Sequence, residues 1–346
     1  MPDARVQSAI EHWPPRFIQA GVDYNDFVRT TARVERWEDW LDAWCETAEI
    51  HLELARSGHT AQTAGEAWLR AAVCFHFGKF VWVLDEQRAR AAADRAVAAL
   101  RAAHRLLDPT AERIETPLAI GNLRRPRDRA RPPLVLLVPG LDSTKEEFFR
   151  MENMLLARGM AALSMDGPGQ GEGGYSERMR HDYEVGVAAM LDALDGRDDL
   201  DLDRVGALGV SLGGYFAPRA AAFEPRIRAV AGISGPFCFG ELWDHLPELT
   251  RETFVHKSGA SGAEDGRRRA LALDLDGVLE GLHVPALFVT GKLDRLIPWE
   301  STRRQAEAAP RGEFVLFEDG NHVCANVPYK ARPLVADWLA ERLRAA

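Results

Sequence analysis

The sequence predicts an α/β protein in which a doubly wound, mostly parallel sheet follows a helical N-terminal region. The chain has 346 residues, which is long for one hydrophobic core and suits two domains. Residues 1–110 carry apolar side chains at helical spacing, whereas residues 111–346 alternate short apolar runs with amphipathic segments. Such alternation is typical of a parallel sheet with helices on both faces. We therefore expect a helical domain over 1–110 and an α/β domain over 111–346.

The N-terminal region contains six of the nine tryptophans, and its apolar residues recur three and four positions apart. One predicted helix face collects Trp37, Trp40, Leu41, Trp44 and Ala48. A second helix is predicted around Trp68, and a third ends at Asp108-Pro109. No 34-residue period indicates a tetratricopeptide array. The rings either form the core of a helical bundle or line a pocket, and the sequence leaves both interpretations open.

Six short runs in the second region are apolar on both faces, as buried parallel strands are. They are LVLLV at 134–138, AALSM at 161–165, VGALGV at 205–210, AVAGI at 229–233, ALFVT at 286–290 and EFVLF at 313–317. The stretch ERIETPLAIGNL before them predicts short edge strands, and PLVADWLAERLRAA predicts a closing amphipathic helix.

Composition excludes several classes of protein. Apolar residues make up 46% and charged residues 27% of the chain, which is ordinary globular composition. The net charge of −9 gives no basic surface for nucleic acid or an anionic membrane. No run approaches the roughly 18 apolar residues of a membrane span, and MPDARVQSAIEHW lacks the pattern of a signal peptide. The four cysteines lie far apart, which argues against a zinc site or disulfides and favours the cytoplasm.

The strongest chemical signal is the sequence Gly209-Val210-Ser211-Leu212-Gly213. This G-x-S-x-G motif follows a predicted buried strand and precedes a helix, which is the context of a nucleophile elbow. The serine of such an elbow lies in a sharp turn, so the flanking glycines avoid a clash. The sequence therefore predicts Ser211 as the nucleophile of a serine hydrolase.

A serine hydroxyl needs a base, and in this type of fold the acid and then the histidine follow the serine in the chain. Four histidines lie downstream of the motif: His245, His256, His283 and His322. Only His322 comes directly after the last predicted strand, where a loop can hold an imidazole over the serine. Asp294 follows the strand ALFVT and is the predicted acid. Asp319 is the rival acid, but its expected role is to shape the loop that contains His322.

The developing oxyanion needs two backbone N–H donors. Leu212, directly after the nucleophile, is expected to supply one. The loop after LVLLV is expected to supply the other, at Leu141 or at the near alternative Asp142. The glycine-rich stretch at 166–171 lacks the Lys-Ser/Thr pair of a phosphate loop, and its proline makes it a poor dinucleotide site. We expect a tight turn beside the active site there, and we expect no cofactor and no metal.

Together these segments resemble the α/β-hydrolase family over residues 111–346. PGLDSTKEEFF, MDGPGQGEG, GVSLGGYFAPRAAAFEPRIRAVAGISGPF and VTGKLDRLIP are similar to the branch of 2,6-dihydroxypseudooxynicotine hydrolase and the fungal hydrolases that shorten polyketides. The resemblance implies an α/β-hydrolase fold in which residues 1–110 act as a cap. It implies the same triad, hydrolysis of a carbon–carbon bond next to a ketone, and dimerisation through the helical region. A further acid of such enzymes would fall near Glu241, which is otherwise an exposed lid residue.

The sequence leaves three functions open. The first is a serine hydrolase that cleaves a carbon–carbon bond in an activated aromatic or polyketide-like ketone. The second is a carboxylesterase or thioesterase, because the same triad serves both reactions. The third is a binding or regulatory protein on a hydrolase fold that has lost catalysis. The expected ligand is a small ketone or ester, with no nucleic acid and no membrane as partners.

Overall fold

The computed structural model describes residues 2–57 and 60–344. The chain divides into two compact units. Unit 1 comprises Met1–Ala111 together with the short segment Glu146–Arg150. Unit 2 comprises Glu112–Lys145 and Met151–Ala346.

Unit 1 is helical, as the sequence predicts. Its helices are α1 (Ala4–His12), α2 (Pro14–Ala20), α3 (Tyr24–Thr31), α4 (Trp40–Arg56), α5 (Ala61–Lys79) and α6 (Glu86–Leu107), with a 3₁₀ turn at Trp37–Asp39. Side chains cap the starts of several helices, as Thr60 does by accepting the N–H of Thr63. The last helix ends where predicted, because Asp108 precedes a proline and takes an extended conformation.

Aromatic rings form the core of unit 1. Phe17 stacks on Phe77 with ring centroids 3.9 Å apart, and Trp40 donates its indole N–H to the carbonyl of Phe77 at 3.1 Å. Seven rings of the N-terminal region are buried there: Trp37, Trp40, Trp44, Phe75, Phe77, Phe80 and Trp82. Trp68 is partly exposed. For the seven buried rings, the structure favours core packing over the alternative of a pocket lining.

Unit 2 contains an eight-stranded sheet. Its strands are β1 (Glu112–Glu115), β2 (Ile120–Arg124), β3 (Pro133–Val138), β4 (Ala161–Asp166), β5 (Asp201–Val210), β6 (Ile227–Ile233), β7 (Ala286–Gly291) and β8 (Gly312–Phe317). Their order is β1-β2-β4-β3-β5-β6-β7-β8. The strands from β3 to β8 pair in parallel, while β1 and β2 form an antiparallel edge. The predicted doubly wound sheet, with its six core strands and its edge strands, is confirmed.

The remaining helices are α7 (Phe149–Leu156), α8 (Glu184–Asp192), α9 (Gly213–Phe223), α10 (Glu248–Ser258), α11 (Ala263–Leu271), α12 (Trp299–Ala308) and α13 (Pro328–Arg342). The predicted start of the last helix at Pro333 was wrong. The helix begins at Pro328, where the missing N–H of proline costs nothing, and Pro333 lies inside it. Residues 345 and 346 of the predicted helix lie outside the described residues.

Neither unit contains, within 2–57 and 60–344, a helix long and apolar enough to cross a bilayer. All four cysteines are free thiols. The sheet positions the candidate site. The carboxyl ends of β3, β5, β7 and β8 lead directly into the loops that contain the candidate catalytic residues.

Candidate active site

Ser211 occupies a strained turn between β5 and α9. Its φ of 55° lies in the left-handed region, which side chains other than glycine rarely adopt. A Cβ on Gly209 would lie 1.8 Å from the carbonyl oxygen of Gly213, and a Cβ on Gly213 would lie 2.2 Å from that of Val138. Both flanking positions therefore require glycine, which is the physical reason for the motif.

Ser211, His322 and Asp294 lie in one hydrogen-bonded line. The Nδ1 atom of His322 lies 2.8 Å and 3.0 Å from the two carboxylate oxygens of Asp294, and Nε2 lies 3.0 Å from Oγ of Ser211. A carboxylate only accepts hydrogen bonds, so Nδ1 carries the proton and donates it to Asp294. Nε2 is then the acceptor for the serine hydroxyl, which is the arrangement that a general base needs.

The Asp294 side chain is completely buried beside His322. Burial raises the pKa of this carboxyl. The charge and hydrogen bond of His322 lower it, as do the N–H groups of Ile297 and Leu296, and together they outweigh burial. The pKa of Asp294 therefore lies below its ordinary value. Asp294 is therefore an ionised partner for the imidazole. The rival Asp319 lies on the surface, where its carboxylate pairs with Lys330 at 2.6 Å and its carbonyl accepts a hydrogen bond from Asn326.

The loop of His322 is held in an unusual backbone conformation. Val323 and Cys324 have φ angles of 51° and 53°, and Ser234 at the end of β6 has a φ of 50°. The Ser234 hydroxyl accepts the N–H of Val323 at 3.1 Å, which ties the histidine loop to the neighbouring strand. The sequence analysis missed Ser234, because a serine directly after a buried strand has no distinctive pattern in sequence.

The two predicted oxyanion donors belong to two segments that adjoin Ser211. Leu212 is the N-cap residue of α9, so its N–H belongs to the positive end of that helix. A Cβ on Gly140 would lie 3.0 Å from the Ser211 Cβ and 3.5 Å from the Leu212 nitrogen, so the loop after β3 lies against Ser211. Leu141 follows in that loop and is buried.

The predicted tight turn at 166–171 is present. Gly169 and Gly171 have φ angles of 78° and 41°. At its start, buried Asp166 accepts the backbone N–H of Lys145 at 2.8 Å and its ammonium at 2.7 Å. Gln170 and Lys257 also contact the loop after β3, and the sequence analysis had singled out neither residue.

Glu241 lies in a 3₁₀ turn at Gly240–Leu242, where its half-exposed carboxylate pairs with Arg304 at 2.6 Å. Among the described residues, no hydrogen bond joins it to Ser211, His322 or Asp294. Its role in proton transfer stays a prediction. Of the other downstream histidines, His245 bonds to the carbonyl of Arg295 at 3.0 Å.

Comparison with known proteins identifies relatives that cover most of the chain. The family described as "Esterase FrsA-like" matches residues 21–291. A 2,6-dihydropseudooxynicotine hydrolase of Paenarthrobacter nicotinovorans is 36% identical over 339 residues, which cover 95% of this chain and 91% of the relative. The alpha/beta hydrolase xenA of Xenoacremonium sinensis is 31% identical over 71% of this chain, which spans only 66% of that longer protein.

A solved structure agrees with these relatives. The crystal structure of the 2,6-dihydroxy-pseudo-oxynicotine hydrolase superposes with a TM-score of 0.87 at 34% identity and covers 95% of each chain. The fold and the relatives therefore agree with the α/β-hydrolase resemblance that the sequence motifs indicate.

Proposed function

This chain belongs to the FrsA-like esterase family of α/β hydrolases, and from that premise we propose that it hydrolyses a carbon–carbon bond next to a ketone in an activated aromatic or polyketide-like substrate. The similarity to 2,6-dihydropseudooxynicotine hydrolase along nearly the whole of both chains is the observation that carries the proposal. Ser211, His322 and Asp294 are the proposed catalytic residues.

The reaction begins when Ser211 Oγ attacks the ketone carbon and His322 Nε2 takes the hydroxyl proton. The N–H groups of Leu212 and Leu141 stabilise the resulting oxyanion. Collapse of the tetrahedral adduct breaks the carbon–carbon bond. The electron pair leaves with the activated carbon, which His322 protonates, and the acyl group stays on Ser211. Water, deprotonated by His322, then releases a carboxylic acid and restores the enzyme.

Ester hydrolysis is the second candidate, and the description of the matching family as esterase favours it. The same triad attacks an ester carbonyl, and an alkoxide or thiolate leaves in place of carbon. The two reactions differ in their leaving group, so the bond that is cleaved depends on substrate binding rather than on the triad. A binding protein without catalysis is the least supported alternative, because His322 lies within hydrogen-bonding distance of both Asp294 and Ser211.

The proposal is tested by comparing cleavage of aryl ketones and β-diketones with hydrolysis of p-nitrophenyl acetate. The intact enzyme should cleave at least one ketone to a carboxylic acid, which mass spectrometry of both fragments detects. Ser211→Ala should lower both rates by about ten-thousandfold or more while the fold is kept. Rapid ester turnover without cleavage of any ketone would favour the esterase. Failure of a fluorophosphonate probe to label Ser211 would favour the binding protein.

We further propose a cytoplasmic homodimer that associates through the helical region. Free cysteines support the location. Apolar side chains spaced four residues apart are exposed on two helices of unit 1, namely Tyr24 and Val28 on α3 and Ile50 and Leu54 on α4. Light scattering of the wild type and of Ile50→Glu tests this. A monomeric wild type would contradict the dimer.

A further inference from the structure

The structure assigns Gln170 a positioning role: its side-chain amide fixes the Gly140–Leu141 peptide, so that the Leu141 N–H is aimed into the oxyanion hole beside Ser211. This inference rests on the proposed acyl transfer to Ser211. It makes Gln170 a positioning residue and not a catalytic one, because it acts through the backbone of another loop.

Gln170 lies in the glycine-rich turn after β4 and is fully buried. Its Nε2 atom donates to the carbonyl oxygen of Pro139 at 2.5 Å and to that of Gly140 at 3.0 Å. One side chain thus binds two consecutive carbonyls of the loop after β3. A buried amide with two such acceptors restrains the loop far more than a surface contact would, because an unpaired polar group is costly to bury.

The orientation of the Gln170 amide is itself fixed. Its Oε1 atom accepts the hydroxyl of Tyr183 at 2.6 Å and the N–H of Gly167 at 3.4 Å. A flipped amide would place Oε1 against two carbonyl oxygens and Nε2 against an N–H donor, so only one orientation satisfies all four partners. Burial and the nearby charge of Asp166 raise the pKa of Tyr183 well above its usual value, so its hydroxyl stays a donor.

The held carbonyl determines where the neighbouring donor points. The described chain has no cis peptide bonds, and in a trans peptide the C=O and N–H groups face opposite sides. Gln170 holds the Gly140 carbonyl, so the Leu141 N–H of the same peptide points away from Gln170. A Cβ on Gly140 would lie 3.0 Å from the Ser211 Cβ and 3.5 Å from the Leu212 nitrogen, so this peptide lies beside Ser211.

The alternative donor, the N–H of Asp142, belongs to the next peptide. The carbonyl of that peptide, on Leu141, accepts the ammonium of Lys257 from α10 at 2.7 Å. The two candidate donors are therefore held by two different side chains. Gln170 controls the Leu141 N–H, and Lys257 controls the Asp142 N–H, so substitution of each side chain distinguishes them.

The test compares Gln170→Met, Lys257→Met and Gln305→Met in the full chain. Gln305 is a matched control, because it is also buried and donates Nε2 to a proline carbonyl, that of Pro236, at 2.8 Å. For each variant we would measure kcat/KM with p-nitrophenyl acetate per active site titrated by a fluorophosphonate. We would also measure the Ki of an aryl trifluoromethyl ketone, which adds to serine as a tetrahedral oxyanion.

Gln170→Met should lower kcat/KM by about 10- to 100-fold, less than the loss on deleting a donor outright, and raise the Ki of the ketone by a similar factor. A merely structural role would lower the titrated fraction of active sites and leave Ki unchanged. Gln305→Met should cost less than about threefold, and Lys257→Met should cost clearly less than Gln170→Met. A large loss in Lys257→Met, with Gln170→Met at the level of the control, would assign the donor to Asp142 and overturn the inference.

Tyr183→Phe provides a second variant in case Gln170→Met does not fold. It keeps Gln170 but removes the hydroxyl that orients its amide, so kcat/KM should fall and Ki rise together by a smaller factor. An unchanged Ki in Tyr183→Phe would count against the inference. Ser211→Ala separates this outcome from a failure of the proposed function. If Ser211→Ala retains activity, the proposed acyl transfer is wrong. If Ser211→Ala is inactive while Gln170→Met is unaffected, only the positioning role of Gln170 is refuted.

Discussion

At the scale of single residues, Asp294 and Asp319 show how two nearby carboxylates take different roles. Asp294 is buried and hydrogen-bonded to His322, while Asp319 pairs with Lys330 at the surface. A buried carboxylate that holds an imidazole both selects its tautomer and stabilises its protonated form. An exposed ion pair contributes little, because water screens it.

Asp294→Asn should therefore lower kcat by about ten-thousandfold, since an amide in this place favours the wrong tautomer of His322. Asp319→Asn is the matched control and should retain kcat within about threefold. Ester turnover of both purified variants, normalised to folded protein, checks this. Comparable losses in the two variants would mean that Asp294 is not the acid that supports His322.

The residues of the proposed triad stand out in the sequence because their signals are local. Ser211 stands in a motif, and Asp294 and His322 each follow a recognisable strand. Gln170 was not predictable in this way. Its role depends on the approach of two loops whose hydrogen-bonded residues lie 30 and 31 positions apart, and glutamine in a glycine-rich turn carries no signal of its partner.

At the scale of elements, β3, β4 and β7 were predicted well because every residue in them is buried, so each strand is a short, mostly apolar run. β8 is partly exposed. β5 begins at Asp201, four residues before the predicted run. The apolar pattern missed this start because most of the first residues of the strand are polar. The last helix shows the opposite difficulty. Pro333 resembles a first-turn proline, yet the structure places the start at Pro328 and tolerates Pro333 within the helix. A sequence with two such prolines does not reveal which one begins the helix.

The aromatic core of unit 1 gives a prediction about stability. Phe17 is fully buried and stacks on Phe77, so Phe17→Ala should destabilise unit 1 by about 3–5 kcal/mol. Tyr24→Ala, in the same unit but 61% exposed, should change stability by no more than about 0.5 kcal/mol in the monomer. Denaturant unfolding followed by tryptophan fluorescence measures both. Equal stabilities would mean that the ring stack does not hold the unit together.

At the scale of the whole molecule, the two parts of unit 1 are joined by a partly buried polar network. Glu147, from the short segment 146–150, binds Arg16 through both carboxylate oxygens at 2.8 Å and 2.9 Å and lies 3.2 Å from Nε2 of His76. Burial raises the pKa of Glu147, but the charge and hydrogen bonds of Arg16 and the hydrogen bond of His76 outweigh it, so the pKa lies well below its usual value. Charged groups thus join segments that lie far apart in the sequence.

His76 makes this unit sensitive to pH. Burial and the charge of Lys79, opposed by the hydrogen bond to Glu147, lower the pKa of His76 from 6.5 to about 4. Between these values the unfolded chain binds a proton that the folded chain does not. The free energy of unfolding therefore rises with pH through this window, and the contribution is lost as the pH falls from about 6.5 towards 4.

We expect the stability of unit 1 to fall on the order of 1–3 kcal/mol between about pH 7 and pH 4.5 because of His76. His76→Gln, whose amide can still donate to Glu147 but does not titrate, should flatten this dependence. His12→Gln replaces a partly exposed histidine of the same unit and should keep the slope of the wild type. Six of the nine tryptophans lie in unit 1, so fluorescence-detected urea unfolding at several pH values reports mainly on it. If wild type and His76→Gln lose stability in parallel, protonation of His76 is not what weakens the unit, and the remaining slope belongs to carboxylates such as Glu147.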